Sequence, residues 1–215
     1  MNQPPQWQVG DHEARWNAYL LTPGSVVLRN RVGATTIEDL RSAENDLLES
    51  RLAELRSRPT LIARTYDLTH LRRLHHHLFQ DVYEWAGELR TVGIAKGEGE
   101  DTSFMPPLEI ERPVAHVASR IATSRLLRDV PKADLVAEVT YLYDYLNFAH
   151  PFREGNGRTQ REFFAQLLAE TGRGLAWAGI EMDDLHAACH VARTAGDTAA
   201  LARIFELILT EDPGY

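Results

Sequence analysis

Between His150 and Arg161 the chain reads His-Pro-Phe-Arg-Glu-Gly-Asn-Gly-Arg-Thr-Gln-Arg, and most residue types in that run have a chemical use. His150 carries a side chain that ordinarily titrates near neutral pH, which suits it to take a proton from a hydroxyl. Glu154 is a hard oxygen ligand of the kind that Mg²⁺ takes alongside phosphate oxygens. Gly155 and Gly157 allow positive φ and close approach of backbone to a ligand, and successive N–H groups in such a turn form a concave nest for an anion. A helix opening behind them adds unpaired N–H groups and the positive end of its dipole. Arg158 and Arg161, three apart, share one helix face and can grip phosphate oxygens together. Singly, each feature has a plainer reading: Gly-Asn-Gly is a common turn, a lone histidine is more often structural, and arginines at this spacing usually mark a solvated face. Their occurrence together, in one loop, points to a site that holds a polyphosphate with its metal ion beside a general base.

The run resembles the motif of the Fic family, His-Pro-Phe-x-(Asp/Glu)-Gly-Asn-Gly-Arg-x-x-Arg, at every fixed position. Leu78-Phe79-Gln80-Asp81-Val82-Tyr83-Glu84-Trp85-Ala86-Gly87 and Leu89-Arg90-Thr91-Val92 are similar to the family's segment leading into its target-binding flap, so the resemblance covers about residues 35 to 210. It implies a protein adenylyltransferase, moving AMP from Mg²⁺-bound ATP to a Tyr, Thr or Ser hydroxyl of a target protein. In that resemblance His150 takes the hydroxyl proton and Glu154 holds Mg²⁺. Gly155, Asn156 and Gly157 form the anion hole, with the Asn156 side chain fixing it. Arg158 and Arg161 orient the β- and γ-phosphates, and Thr91, Val92, Gly93 and Ile94 belong to the flap. Three other functions stay open at this stage: transfer of UMP or phosphocholine, a Doc-like protein kinase, and a non-enzymatic nucleotide-binding module. The kinase branch carries lysine at the second motif glycine, whereas this chain has Gly157; the scaffold reading would suit a chain that had lost His150 or Glu154.

The elements that must position these residues are mostly helical. Thr35 with Glu38 three residues on is a capping-box pattern, opening a helix to about Ser57 with Ile37, Leu40, Leu47, Leu52 and Leu55 inward. Asp67 caps the next, whose stripe is Leu68, Leu71, Leu74, Leu78 and Val82. That helix carries His70, His75, His76 and His77, without a zinc-enzyme spacing, so hydrogen-bonded or solvated histidines are expected there. Leu89 to Ala95 and Thr102 to Met105, around Gly97-Glu98-Gly99, read as one short β-hairpin, the candidate flap. Further helices are expected over about Pro113–Arg128, Lys132–Asn147, Arg158–Glu170, Met182–Arg193 and from Asp197 to Thr210. The fold class is mainly α: a helical bundle around a central helix–loop–helix. Residues 1–34 form an arm, loose to about residue 15 and docked through Trp7 and Trp16, with a small extended or hairpin element at Pro23-Gly24; residues 35–215 form the domain.

Of the 215 residues, 23 are Lys or Arg and 31 are Asp or Glu, a net charge of −8 that argues against direct nucleic-acid or anionic-membrane binding. Phosphate binding needs only local positive groups. Cys189 is the only cysteine, so an internal disulfide is ruled out. The sequence shows neither a signal-peptide pattern nor an apolar run of membrane-spanning length, and a cytoplasmic location is expected. Many Fic proteins are held off by a Ser/Thr-x-x-x-Glu helix followed by Gly or Asn; only Ser50…Glu54 approaches this pattern, and Leu55 follows it. Restraint by a small antitoxin-like partner is therefore expected. The resemblance to toxin-type members makes a DNA gyrase or topoisomerase IV subunit a candidate target.

Overall fold

A computed structural model describes residues 3–96 and 103–213. Among them are eight α-helices: α1 (His12–Ala18), α2 (Ile37–Ser57), α3 (Leu68–Phe79), α4 (Glu111–Thr123), α5 (Leu135–Ala149), α6 (Asn156–Ala169), α7 (Met182–Ala195) and α8 (Ala199–Ile208). The apolar face of α5 is nearly continuous, and Leu135, Val139, Leu142, Leu146 and Ala149 are all buried. A helix apolar on so many sides must be surrounded, and α4, α6, α7 and α8 all pack on it. Helix α3 packs on α2, α4 and α6. The connection from α5 to α6 thereby sits at the middle of the bundle, with α3 beneath it.

Capping follows local side-chain chemistry. Asp67 caps α3 by accepting the His70 N–H at 3.0 Å, as expected. For α2 the cap is Thr36 rather than Thr35: its Oγ1 accepts the Asp39 N–H at 3.1 Å and donates to the Asp39 carboxylate at 2.7 Å. The buried stripe of α2 is Leu40, Glu44, Leu48 and Leu55, while Ile37 is 41 % exposed. Three of the four α3 histidines, His70, His75 and His77, are buried, each with a hydrogen-bond partner.

The expected flap hairpin is reduced. Leu89 to Ile94 is not a strand; the pairing consists of an antiparallel bridge between Ala95 and Ser103 and the Phe104 N–H donating to the Ile94 carbonyl at 3.1 Å. The Gly97–Gly99 turn and Thr102 lie outside the described residues. What replaces the ladder is Arg90, a buried guanidinium that donates to the carbonyls of Val92 (2.8 Å), Met105 and His150 (2.7 Å), while its own N–H donates to the Pro151 carbonyl at 2.9 Å. A side chain thus meets the backbone acceptors that a neighbouring strand would otherwise meet. The only named sheet among the described residues lies elsewhere, pairing β1 (Gly174–Leu175) with β2 (Leu209–Thr210).

Before α2, the Tyr19–Gly33 stretch folds back at Pro23-Gly24, with Leu20 bridged to Leu28 and the Leu21 N–H donating to Val27 at 2.9 Å. Residues 6–18 are ordered into a 3-10 turn and α1, which Asp11 caps. Trp7 is buried, and its carbonyl accepts the Thr91 hydroxyl. No helix among the described residues is long and apolar enough to cross a membrane.

Candidate active site

Helix α5 ends at His150, which takes a left-handed backbone conformation, φ 41° and ψ 61°. This is an uncommon state for a non-glycine residue, and it turns the chain sharply into Pro151. The imidazole lies flat on Phe104, ring centroids 3.7 Å apart. Its Nδ1 sits 3.2 Å from the Asn147 carbonyl. A carbonyl can only accept, so Nδ1 carries the proton and Nε2 keeps its lone pair. Burial pushes the pKa of His150 down to about 3, aided by Arg90, Lys96 and Arg193, against the Asn147 carbonyl. The ring is therefore neutral, with Nε2 unprotonated.

The loop that follows is closed by its own side chain. Asn156 Oδ1 accepts the Phe152 N–H at 2.8 Å and Asn156 Nδ2 donates to the Phe152 carbonyl at 2.7 Å. Gly155 has φ +79°, and a Cβ there would lie 2.5 Å from the Phe79 ring of α3. Both facts require glycine. Gly157 differs from expectation: it lies in the first turn of α6 without positive φ. Helix α6 opens at Asn156 rather than Arg158, and its first intrahelical-type bond is from the Thr159 N–H to the Gly155 carbonyl, 3.0 Å. The N–H groups of Asn156, Gly157 and Arg158 have no acceptor among the described residues.

The two motif arginines have different surroundings. Arg158 lies over the Phe79 ring and is held between Glu44 (3.0 Å) and Glu154 (3.3 Å). Glu44, 5 % exposed, also accepts the Tyr83 hydroxyl, whose pKa burial and this carboxylate push up. Arg161 has no acidic partner among the described residues, and burial lowers its pKa. A desolvated cation without a counter-ion is a receptor for an anion. Glu154 keeps one oxygen on the Gly155 N–H at 2.9 Å and is substantially exposed. No group of three or more metal-ligating side chains forms among the described residues. A single carboxylate fits Mg²⁺ only where phosphate oxygens complete its shell.

His150, Glu154, Gly155, Asn156, Gly157, Arg158 and Arg161 all line one cleft of about 1070 Å³. Of the expected flap residues, Ile94 reaches it, beside Ala95 and Lys96. Val92 is in the core, the Thr91 hydroxyl is tied to the Trp7 carbonyl, and Gly93 faces open space. Sequence reasoning missed two walls: Glu44 with Leu40 and Arg41 from α2, and Met182, Leu185, His186 and Cys189 from α7. The i, i+3, i+4, i+7 spacing of Met182, Leu185, His186 and Cys189 was the available signal for one shared face. Glu54, the residue weighed as an internal brake, is occupied by Arg51 (2.8 Å) and Arg58 (2.5 Å). A second groove of about 650 Å³, between α3 and Ala86–Glu88, carries no motif residue.

Residues 65–168 match the family model described as "Fic/DOC family". The chain is 34 % identical over 191 residues to "Probable protein adenylyltransferase Fic" of Escherichia coli K12, covering 89 % of this chain and 92 % of the relative. The chain belongs to the Fic family. A second relative, "Probable protein adenylyltransferase y4lH" of Sinorhizobium fredii, is 36 % identical over 174 residues, 79 % of this chain and 83 % of its own. Among solved structures, BepC of Bartonella tribocorum with bound AMPPNP superposes with a TM-score of 0.80 at 22 % identity, covering 88 % of this Fic chain and 95 % of that one. That likeness shows the Fic fold. In class, the Fic chain is a nucleotidyltransferase, as its named relatives are.

Proposed function

We propose that this Fic chain transfers AMP from Mg²⁺-bound ATP to a hydroxyl side chain of a target protein and releases pyrophosphate. The observation that carries this reading is the meeting, in one cleft, of three unpaired helix N–H groups, a half-buried Arg161 without an acidic partner, and the bare Nε2 of His150. The N–H groups and Arg161 bind and orient the triphosphate, and Arg158, steadied by Glu44, faces the same anion. Glu154 would hold Mg²⁺, which when bound neutralises phosphate charge. His150 Nε2 takes the proton of the target hydroxyl, whose oxygen bonds to the α-phosphorus as the bond to the bridging α–β oxygen breaks. The apolar α7 wall supports placement of a purine against Leu185 and Met182, in keeping with the mostly apolar lining of small-molecule sites. The flap, of which Ile94 reaches the cleft, lines up the target segment. The same reading includes a toxin-like cytoplasmic modifier restrained in trans by an antitoxin-like partner, with a gyrase or topoisomerase IV subunit as candidate target.

Incubation of a lysate with the protein and α- or γ-labelled ATP tests the reading. Label on protein from the α position and not the γ position is expected. Label from the γ position would mean a kinase, and label from neither would sink the adenylyl-transfer reading.

A further inference from the structure

His75 lies in α3 beneath the motif loop and is fully buried, stacked on Phe152 with ring centroids 3.8 Å apart and planes 16° from parallel. Its two ring nitrogens join two different loops. Nδ1 accepts the Gly87 N–H at 2.7 Å, and Nε2 lies 2.9 Å from the Glu154 carbonyl. An amide N–H only donates and a carbonyl only accepts, so the partners dictate the tautomer: Nδ1 bare, Nε2 protonated. Protonating Nδ1 would break the Gly87 bond. Burial, with Arg158 and His76 nearby, holds the ring neutral against the Glu154 carbonyl.

Pinning one carbonyl fixes a whole peptide plane. In a trans peptide the Glu154 C=O and the Gly155 N–H point opposite ways, and the described chain has no cis bond. With the oxygen drawn down onto His75, the Gly155 N–H points the other way, where it meets the Glu154 carboxylate at 2.9 Å. Glycine at 155 puts little steric resistance in the way of a flipped peptide, so the orientation needs an external hold. The other end of the imidazole is equally specific. Gly87 has φ +82°, a Cβ there would lie 2.8 Å from His76 Cβ, and its carbonyl accepts Arg72 Nε at 2.8 Å.

We propose that His75 is a positioning residue for the nucleotide site. Its Nε2–H holds the Glu154–Gly155 peptide in the orientation that keeps the Gly155 N–H on the Glu154 carboxylate and so directs that carboxylate toward a metal-bound polyphosphate, and its Nδ1 ties that loop to the Gly87 turn. This rests on the adenylyl-transfer reading.

The two amide side chains separate the functions of the two nitrogens. Glutamine at 75 can supply a donor near the place of Nε2; asparagine can supply an acceptor near Nδ1 but is too short to reach Glu154. Calorimetry with Mg²⁺ and AMPPNP, alongside thermal melting, is the test. His75→Asn is expected to weaken binding by about tenfold or more, the range typical of residues that orient a ligating group, while His75→Gln, with a similar melting temperature, restores it to within about threefold of wild type. Nitrogen-15 spectra of the unaltered protein should also show the Nε2–H tautomer from about pH 5.5 to about pH 8, a readout that stands if a variant fails to fold. Wild-type affinity in a folded His75→Asn, or an Nδ1–H tautomer, would overturn the proposal alone. Absence of AMPPNP binding by the wild type would overturn the nucleotide reading and this role with it.

Discussion

The burial that depresses the basicity of His150 also keeps its lone pair available, because the ring stays neutral throughout the physiological range. The carbon-bound ring protons of His150 should therefore show no titration between about pH 5 and about pH 8 in the free protein; a midpoint near its ordinary value would contradict the depressed pKa. His150→Ala should abolish transfer while AMPPNP affinity stays within about twofold, since the ring acts on the target hydroxyl and not on the phosphates. Arg161→Ala should weaken nucleotide binding and transfer together, because it removes the cation that lacks an acidic partner. Equal losses of affinity in both variants would refute this division of labour. Glu44 calls for a different measurement. Removing a buried carboxylate that holds both Arg158 and the Tyr83 hydroxyl leaves the phenol unpaired and Arg158 with Glu154 alone, so Glu44→Ala should lose about 2 kcal/mol of stability in denaturant unfolding. A change below ~0.5 kcal/mol would show the contact to be incidental.

Among the elements, α3, α5 and α6 form a frame with the motif loop stretched over it. The Phe79 ring presses on Gly155 from below, and no flexible side chain is available to yield. Gly155→Ala must relieve a 2.5 Å contact and occupy a left-handed backbone state that alone costs about 1 kcal/mol; overpacking adds about 1–3 kcal/mol. Thermal melting should fall markedly and AMPPNP binding should be lost; an unchanged melt with intact binding would mean the loop moves freely off Phe79. The long helices were legible because the 3.6-residue period in α3 and α5 carries its own apolar stripe, and Asp67 announces its cap. On α2 the same reasoning failed at one position. Glu44 interrupts the stripe Leu40, Leu48, Leu55, and a carboxylate at a core position is invisible to periodicity because its partner, Arg158, is 114 residues away. The flap failed for a related reason. Leu89–Ile94 has strand-like residues, but the Arg90 guanidinium gathers the carbonyls of Val92, Met105 and His150, a long-range arrangement that local propensity does not carry. β1 and β2 are two residues each, too short to leave a pattern.

For the molecule as a whole, the motif residues named from the sequence line one cleft, while the walls that complete it come from α2 and α7, on either side in sequence. Buried neutral histidines also shape its response to acid. His70, on Gln166 and the Tyr66 N–H, and His75 have pKa values lowered by burial to about 4 and about 3. In the unfolded chain both titrate near 6.5. Between those values the unfolded state binds more protons than the native one, so stability is full above about pH 6.5 and falls as pH drops toward 4. Each histidine contributes a slope approaching ~1.4 kcal/mol per pH unit, ~3 kcal/mol per unit for the pair. Urea unfolding at pH 7 and at pH 5 should reveal this loss, and a stability constant across that interval would contradict the buried neutral state.

The central claim is that the α5–α6 loop cups a metal-bound triphosphate beside the base, and crystals grown with Mg²⁺ and AMPPNP address it directly. The account predicts phosphate oxygens on the N–H groups of Asn156 to Arg158 and on Arg161, the ion on Glu154, and His150 Nε2 facing the α-phosphorus. A triphosphate bound away from this loop, or bound here with the imidazole turned from it, would contradict the account.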